Sequence, residues 1–555
     1  MKIRRLLLAT ASAMTFTLTA AGTHWCTATA QTAAVLSGQV SSAEENLMEG
    51  VVVSAKKAGS TITVSVISDA QGNFSFPSGR LEPGSYTLRI RAAGYELDGP
   101  KTVDVGPQGA PLAIKLRKAK NVAAQLTSTE WLMSIPGTVE QKNMLDRCTS
   151  CHTLERPIKS TYDADAMTGV LQRMASYSPG TTPLEPHKRL DGRSMDVPTD
   201  RLRPRAEFIA SINLSQQETW AYPLKTLPRL KGRSTHVIIT EYDLPRPTAM
   251  PHDVILDRSG NAWYSDFGHQ FVGKLEPKTG KVTEYPVPVL KAEQPPGNLD
   301  IEFDKTGNLW IGLMLQAGIA KFDPKTEQFT MIPLPKDINN NASQQAMVMP
   351  SSSEVDGKVW MNSVGIPGVH RLDLASMKFE TFVPYKDLAR GQDHSVYGIK
   401  ADSQNNLFFF DFSADLVGKI DAKSGQINLF KTPTPNSNPR RGYMDQQDRL
   451  WFTEYRANKL AMLDTRTEKF TEWALPTPFT YPYDVIPDRN GELWTAGMST
   501  DRVVRLDPKT GQTTEYQLPR NTNVRRVFVD NSTTPVTFWA GGNHSAEIVK
   551  VEPLD

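Results

Sequence analysis

Two cysteines and a histidine stand at a spacing that supports redox chemistry. Cys148, Cys151 and His152 form a C-x-x-C-H sequence. Two thiols three positions apart can add to the two vinyl groups of one porphyrin, and the adjacent imidazole can then bind the iron as its proximal ligand. The sequence therefore predicts one covalently attached haem c.

A C-x-x-C pair can also form a disulfide, a thiol-exchange site or half of a zinc site. A structural zinc site needs four ligands. The third cysteine of the chain, Cys26, lies in an N-terminal segment that we expect to be removed. A thiol-exchange pair does not require the adjacent histidine. We therefore favour the haem interpretation over these alternatives.

The residues around the motif predict an α-helical cytochrome c domain over residues 122–230. From the motif onward, this segment resembles the small c-type cytochrome domains. The helices are expected at 130–134, 137–147, 163–177 and 203–213. The last of these is expected to pack against the first, so that three main helices surround the haem.

The sixth iron ligand is expected downstream of the motif. The candidates are Met167, Met174, His187 and Met195. Met167 and Met174 are seven residues apart and share a helix face, so core packing explains either of them equally well. In the cytochrome domains that this segment resembles, a Val-Leu-x-Arg-Met helix end commonly supplies the ligand. The resemblance therefore implies Met174, with Met195 second, and a thioether ligand would raise the haem potential.

The N-terminal segment has the three parts of a secretory signal peptide. These are the basic residues Lys2, Arg4 and Arg5, the apolar run 6–18 and the small residues 28–30. No later apolar run reaches the ~18 residues that a membrane span requires. We therefore expect a cleaved signal peptide over 1–30, no membrane span, and a periplasmic or secreted protein.

The overall charge balance is close to neutral. The chain has 62 Lys and Arg against 60 Asp and Glu, a formal net charge of +2. Loss of the three basic residues of the signal peptide leaves −1. Nucleic-acid-binding proteins usually carry a marked excess of positive charge. We therefore expect no nucleic-acid partner.

Residues 34–117 consist of short, alternating apolar and polar runs separated by Gly-, Pro- and Asp-containing turns. The runs 37–40, 50–55, 61–66 and 85–91 predict strands of a small β-sandwich. The succession of G-x-V, G-V-x-V, D-x-x-G-x-F and P-G-x-Y-x-L phrases resembles the carboxypeptidase regulatory-like domain. This part of the sequence has no evident catalytic pair, so a spacer or docking role is expected.

From residue 235 onward the sequence repeats at intervals of 43 to 50 residues. A Thr-Glu-Tyr-like phrase recurs seven times, and an aromatic residue recurs in step with it. These aromatic residues are Trp263, Trp310, Trp360, Phe408, Trp451, Trp494 and Trp539. The repeat predicts a seven-bladed β-propeller over 235–555, in which the strand 236–243 completes the last blade. The predicted fold is therefore multidomain and mainly β: a β-sandwich, an α-helical cytochrome c domain and a propeller.

The sequence of the blades, including 251–254 and 257–263, resembles the streptogramin (virginiamycin B) lyase family. The resemblance implies a Glu-x-His pair, followed fourteen residues later by an acid, arranged around a magnesium ion. His252 and Asp266 match this spacing, but Met250 replaces the glutamate. A thioether cannot replace an oxygen ligand of Mg²⁺, so lyase activity is not expected.

The residues that enter the innermost strand of each blade converge on one end of the central channel. We expect this mouth to be ringed by polar side chains, which are His252, Asp266, Tyr397, Asp411, Arg440, Glu454, Tyr483 and Arg525. Arg440 and Glu454 are expected to form a salt bridge rather than a metal site. The mouth can either bind a small polar organic molecule or remain filled with water, and the sequence leaves both open.

Two functions of different class remain. In the first, the protein is an exported haem-c electron-transfer protein whose propeller binds a small organic substrate or a redox partner, such as a quinoprotein dehydrogenase. In the second, it is a streptogramin lyase-like carbon–oxygen lyase with a fused cytochrome. We favour the first because the C-x-x-C-H motif is intact, whereas the lyase motif has lost its first acid.

Overall fold

A computed structural model describes residues 36–106, 111–189, 197–215, 217–341, 343–364, 368–386 and 394–555. Within these ranges the chain forms 37 strands and five short α-helices. The expected signal peptide, Cys26 and Met195 lie outside the described residues.

The N-terminal domain contains nine strands in two groups. They are β1 (Leu36–Ser42), β2 (Asn46–Leu47), β3 (Val52–Lys57), β4 (Ile62–Ile67), β5 (Asn73–Phe76), β6 (Gly84–Arg91), β7 (Tyr95–Leu97), β8 (Thr102–Val105) and β9 (Leu112–Lys118). One sheet has the order β2-β1-β9-β7, with β5 also paired to β1, while β4, β3, β6 and β8 belong to a second sheet. Alternate residues of both groups, such as Val40, Val53 and Phe76, are buried in one core, as period-two patterning requires.

Six sheets of four antiparallel strands follow in chain order. Blade one is β11 (Pro251–Leu256), β12 (Ala262–Asp266), β13 (Phe271–Glu276) and β14 (Lys281–Pro286). Blade two is β15 (Asn298–Phe303), β16 (Leu309–Leu313), β17 (Gly318–Asp323) and β18 (Gln328–Pro333). Blade three is β19 (Gln344–Met349), β20 (Lys358–Val364), β21 (Gly368–Asp373) and β22 (Phe379–Phe382).

The next three blades have the same order. Blade four is β23 (Val396–Ala401), β24 (Leu407–Asp411), β25 (Leu416–Ile420) and β26 (Ile427–Lys431). Blade five is β27 (Pro439–Met444), β28 (Arg449–Glu454), β29 (Lys459–Asp464) and β30 (Lys469–Ala474). Blade six is β31 (Pro482–Pro487), β32 (Leu493–Gly497), β33 (Arg502–Leu506) and β34 (Thr513–Gln517).

The seventh blade joins the two ends of the repeat region. It consists of β35 (Val527–Asp530), β36 (Thr537–Gly542), β37 (Glu547–Pro553) and β10 (Val237–Asp243). Strand β10 is antiparallel to β37, with Val237 opposite Pro553. The prediction that the strand before the first blade closes the ring is confirmed.

The outer edge of this blade is covered by the N-terminal domain. Strand β10 also pairs antiparallel with β4, with Thr240 opposite Val64, so that one sheet of eight strands runs from the propeller into the β-sandwich. An unpaired edge strand exposes backbone donors and acceptors to other chains. Here both edges of β10 are paired.

In four blades the recurring tryptophan fixes the turn that precedes its own strand. The indole Nε1 of Trp263 donates to Oδ2 of Asp257 at 2.9 Å, and Trp310 donates in the same way to Asp304 at 2.9 Å. The same aspartates accept backbone N–H groups of the turn, for example from Asn261 at 3.0 Å. The Asp-x-x-Gly-Asn-x-Trp phrase is therefore a blade-framing device, which explains why it repeats.

Between the sandwich and the propeller lie the five helices. They are α1 (Ser128–Ser134), α2 (Val139–Asn143), α3 (Glu155–Ile158), α4 (Ala164–Ala175) and α5 (Thr199–Ile212). Helix α1 begins with a capping box, in which the Thr127 hydroxyl accepts from the Glu130 backbone and the Glu130 carboxylate accepts from the Thr127 backbone. Among the described residues, no helix is both long and apolar enough to cross a membrane.

The prediction of an α-helical cytochrome c domain over 122–230 is wrong. Its helices have at most 14 residues, and the expected helix 137–147 is only the five residues of α2 followed by a 3₁₀ turn, Asp146–Ser150. Helix α5 packs chiefly against α4. Helices this short are marginal by themselves and need tertiary contacts to be stable.

Those contacts come from the propeller. Trp131 and Leu145 of the helical segment belong to the same buried apolar cluster as Tyr455, Tyr481 and Met498 of the propeller. The loop after α4 also lies directly on the first blade, because a Cβ added at Gly180 would be 2.1 Å from the Phe267 carbonyl oxygen. The helical segment therefore shares its core with the propeller. Taken as a whole, the described chain is mainly β.

Candidate functional site

The C-x-x-C-H residues lie against one end of the propeller. We call residues 146–152 the CXXCH turn. Asn523 Nδ2 donates to the Thr149 carbonyl at 3.0 Å, and Arg525 Nη2 donates to the Ser150 carbonyl at 2.9 Å. Both donors precede the innermost strand of blade seven. The propeller therefore holds the backbone of the turn by two buried hydrogen-bond donors.

Cys148 and Cys151 are free thiols in the structure. Both side chains are partly exposed to solvent, and other protein atoms closely surround them. Burial raises the pKa of Cys148 to about 11, and it also raises the pKa of Cys151, which nearby Arg525 opposes. Thiol–disulfide exchange requires an accessible thiolate of lowered pKa. This environment disfavours the thiol-exchange alternative.

The imidazole of His152 has one nitrogen fixed by the backbone. Nδ1 lies 2.9 Å from the carbonyl oxygen of Thr153. A carbonyl can only accept a hydrogen bond, so Nδ1 carries the proton and Nε2 keeps its lone pair. Burial lowers the pKa of His152, which favours the neutral ring. A neutral imidazole oriented by such a bond is the form that binds metals.

A second histidine lies beside the turn. His544 belongs to the β36–β37 turn of blade seven, and both of its ring nitrogens are buried without a hydrogen-bond partner among the described residues. Burial, together with the nearby Arg525 and His152, lowers its pKa to about 3. The ring also lies near the Thr149 carbonyl, in an arrangement that does not meet full hydrogen-bond geometry.

Arg525 is a buried cation next to the CXXCH turn. Its side chain is only 3% exposed, and its Cζ lies 4.6 Å from the ring centre of Phe267. No carboxylate lies within salt-bridge distance of it in the part of the chain that the structure describes. Burial lowers the pKa of Arg525, as expected for a cation without a counter-charge. The site therefore offers a positive charge to an anionic group.

Arg440 occupies an aromatic cage, which we define as Tyr397, Phe412, Tyr455 and Tyr483. The guanidinium carbon lies 3.9 Å from the ring centre of Tyr483 and 4.3 Å from that of Phe412. Cation–π contacts of this kind partly replace hydration of a buried charge. The cage connects blades four, five and six immediately beneath the helical segment.

Below the cage, a hydrogen-bonded chain enters the channel. His252 Nδ1 lies 2.5 Å from Oδ1 of Asp253, and Nε2 lies 3.0 Å from the Tyr483 hydroxyl. The carboxylate can only accept, so His252 donates through Nδ1 and accepts from Tyr483 through Nε2. The Tyr483 hydroxyl in turn contacts that of Tyr397. Burial lowers the pKa of His252 to about 3, so the ring is neutral.

Ion pairs fill the next layer of the channel. Arg441 binds Asp253 through both Nη atoms, at 2.8 and 2.9 Å, and reaches Asp300 at 2.6 Å. Arg526 contacts the same two carboxylates, each at 3.1 Å. All four side chains are at most 7% exposed. Buried ion pairs therefore link side chains from different blades at this level.

The acids expected at the mouth have partners other than His252. Asp266 pairs with Arg246 at 2.6 Å and accepts the backbone N–H of Gly268 at 3.0 Å. Asp411 pairs with His394 and accepts the backbone N–H of Ser395 at 2.9 Å. Both hold together the strand ends of their own blades. Among the described residues, no group of three or more His, Cys, Asp or Glu is positioned to hold a metal ion.

The expected salt bridge between Arg440 and Glu454 is wrong. Glu454 is opposite Pro439 in the β27–β28 ladder, and the neighbouring Arg440 enters the aromatic cage instead. Successive residues of a strand point to opposite faces, which separates the two side chains. Glu454 lies beside Glu472, and burial, with that neighbouring carboxylate, raises the pKa of Glu454 to about 8.

The candidates for a sixth iron ligand lie in different surroundings. Met174 is half-buried in the last turn of α4, whereas Met167 is buried in the core shared with the propeller. His187 packs edge-on against His269, with ring centres 5.9 Å apart. Neither these contacts nor the burial of the side chains identifies the ligand.

Sequence reasoning missed His544, Asn523 and the Asp253–Arg441 pair. One signal could have found His544. Asp266 at the end of β12 is opposite Pro251 at the start of β11, so the turn after the second strand of each blade lies at the mouth. A histidine in that turn of blade seven was therefore a candidate for the site.

Two parts of the chain match known protein families. Residues 386–553 match the Virginiamycin B lyase family, and residues 35–117 match the Carboxypeptidase regulatory-like domain. The predicted lyase-like propeller and regulatory-like sandwich are thereby confirmed. Neither match includes the CXXCH turn. No curated protein matches the chain.

Solved structures of two lyases are similar to the chain. One is a catalytically inactive virginiamycin B lyase from Staphylococcus aureus with quinupristin, at 21% identity and a TM-score of 0.47, covering 56% of this chain and 98% of that one. The other is a streptogramin B lyase, at 20% identity and a TM-score of 0.47, covering 58% of this chain and 99% of that one. In both cases the similarity extends over little more than half of this chain.

Proposed function

We propose that this chain is an exported electron-transfer protein that carries one haem c on the CXXCH turn. Cys148 and Cys151 would hold the porphyrin through thioether bonds, and His152 would bind the iron. When bound, the haem would supply one-electron oxidation and reduction. The proposal includes export to the periplasm or the medium and a redox protein as the partner.

The observation that carries the proposal is the state of the three motif side chains. Both thiols are free, and the hydrogen bond from His152 Nδ1 to the Thr153 carbonyl leaves Nε2 available as a ligand. Next to them lie a second histidine and an arginine that have, within the described part of the chain, no hydrogen-bonded partner and no counter-ion respectively. These are surroundings suited to iron and to the anionic propionate groups of a haem, so the residues present fit the cofactor.

In this proposal the propeller is the platform of the haem site. Asn523 and Arg525 fix the backbone of the CXXCH turn, and the shared apolar core orients the helical segment. His252, Tyr483 and Tyr397 lie beneath that segment and are each at most 8% exposed. A small organic molecule would reach them only after displacement of the turn, so we favour a macromolecular redox partner over a ligand of the mouth.

The test is expression with a secretion signal in a host that attaches haem c. Denaturing gels stained for haem peroxidase activity should show one covalent haem in the wild type and none in the Cys148→Ala, Cys151→Ala double variant. Ser150→Ala, which keeps the motif spacing, should stain like the wild type. Staining that persists in the double cysteine variant would exclude attachment at this motif.

A lyase function is the second candidate, because residues 386–553 match the lyase family. It would require His252 to act as an acid or base toward a lactone. His252 is fully buried and bonded to Asp253 and Tyr483, and Met250 occupies the position of the expected acid. Magnesium-dependent opening of a cyclic depsipeptide lactone that is lost in His252→Ala would favour the lyase instead.

A further inference from the structure

We infer that His544 of the propeller, rather than Met174 of the helical segment, supplies the sixth iron ligand. This inference rests on the proposed function, since it needs the haem on the CXXCH turn. It goes beyond that proposal because it makes the propeller a direct contributor to the metal site.

The first argument is the missing partners of His544. Both of its ring nitrogens are buried, and neither has a hydrogen-bond partner among the described residues. Buried polar groups are nearly always hydrogen-bonded, because an unsatisfied donor or acceptor loses its hydration without compensation. An imidazole nitrogen that accepts no hydrogen bond is suited to a metal ion, which takes the lone pair directly.

The second argument is where His544 lies. Its turn, between β36 and β37 of blade seven, adjoins the CXXCH turn, since Asn543 and the Thr149 carbonyl both bond to Asn523. His544 would therefore bring a second imidazole to the proposed haem, from a different element of the chain than the first.

The third argument is that one residue fixes both turns. The side chain of Asn523 donates to the Thr149 carbonyl at 3.0 Å, and its backbone carbonyl accepts from Asn543 Nδ2 at 2.9 Å. Asn543 immediately precedes His544. The positions of the CXXCH turn and of the His544 turn are thus linked through a single buried residue, as a site built from two elements requires.

Met174 lacks comparable support. It is half-buried in the last turn of α4, and the apolar cluster that packs around Cys148 includes Met144 and Met167 but, among the described residues, not Met174. A thioether also packs well in an apolar core without any ligand. The helix-end pattern that suggested Met174 is explained by packing alone.

The test uses the full mature chain with its haem attached, and absorption and electron paramagnetic resonance spectra of the ferric protein. Wild type should give the low-spin signals of two imidazole ligands, without the weak far-red band of methionine ligation. His544→Ala should become high-spin, and added free imidazole should restore the low-spin signals. His236→Ala, at an exposed histidine, should match the wild type.

A second variant covers the case in which His544→Ala does not fold. His544→Met keeps a side chain at the site and should produce the far-red methionine band together with a higher reduction potential, since a thioether raises the potential relative to imidazole. A low-spin spectrum unchanged in His544→Ala, or one lost in Met174→Ala, would overturn the inference. An absence of covalent haem in the wild type would instead defeat the proposed function.

Discussion

Arg456 and Asp146 form an ion pair across the boundary between the propeller and the CXXCH turn, with Nη2 and Oδ2 2.9 Å apart. The side chain of Asp146 is 6% exposed and that of Arg456 is 38% exposed. The second oxygen of Asp146 is buried without a hydrogen bond among the described residues. The guanidinium is therefore the charge that offsets the burial of this carboxylate.

The first prediction follows from this pair. Arg456→Ala should lower the free energy of unfolding by about 1–3 kcal/mol, since it leaves a buried carboxylate without a partner, while the partial exposure of Arg456 limits the loss. Urea unfolding followed by tryptophan fluorescence measures the change. Arg466→Ala, at an exposed arginine of the same blade, should have no measurable effect. An equally small effect in both variants would contradict this account.

The second prediction concerns Glu454 and pH. Its pKa is raised from 4.5 to about 8, chiefly by burial. The folded protein therefore keeps the proton that the unfolded chain releases, so this contribution to stability is complete below pH 4.5 and is lost as pH rises to about 8. Glu454→Gln should increase stability at about pH 9, on the order of 2 kcal/mol, with little change near pH 4. The measurement is the free energy of unfolding against pH.

The matched control for this pH experiment is Glu468→Gln, because Glu468 is an exposed residue of the same blade. Its stability profile should follow that of the wild type. If Glu454→Gln also follows the wild type at high pH, the pKa of Glu454 in the folded protein is close to its ordinary value.

The third prediction concerns the series of hydrogen-bonded side chains that runs from Tyr397 through Tyr483 and His252 to Asp253. Tyr483→Phe removes the hydroxyl that donates to His252 at 3.0 Å and leaves a buried ring nitrogen without a partner. We expect a loss of about 1–3 kcal/mol in unfolding free energy. Haem staining should be retained, because Tyr483 does not belong to the motif. Tyr162→Phe, at an exposed tyrosine, is the control. Loss of haem staining in Tyr483→Phe but not in the control would assign Tyr483 a role in the haem site.

The fourth prediction tests the junction of the sandwich and the propeller. Glu241 of β10 is fully buried and pairs with Arg89 of the sandwich at 2.8 Å and with Arg520 of the propeller at 2.9 Å. Glu241→Gln should destabilise the chain by about 2 kcal/mol and make the link between the two domains more susceptible to proteolysis. Glu82→Gln, at an exposed ion pair, should do neither. Unchanged proteolysis in Glu241→Gln would show that backbone pairing alone holds the domains together.

The propeller could be predicted because the sequence features that specify each blade are local and are repeated along the chain. Four blades carry their own turn aspartate and indole, as in Asp257 and Trp263, and the aromatic residue that recurs in all seven reveals the period. Closure by β10 followed from counting strands. The helix positions near 163–177 and 203–213 were also close to the observed α4 and α5.

The shared core and the second histidine could not be predicted in the same way. Nothing in the sequence of α1 indicates that Trp131 packs with Tyr455 and Tyr481, because such contacts depend on how two separate segments dock. The resemblance to cytochrome domains assumed that the helices bury their apolar faces on one another. The aromatic cage around Arg440 likewise joins residues from three blades, which only the closed ring brings together.

The position of β10 between β37 and β4 has a mechanical consequence. Force applied through the N-terminal domain is carried in part by the hydrogen bonds of the β4–β10 pair, and through them by those of the β10–β37 pair that closes the ring. If a partner protein binds the sandwich, a pulling force would act on β10, the strand that closes the propeller ring. In a single-molecule pulling experiment, release of the sandwich and opening of the ring should therefore occur as closely linked events.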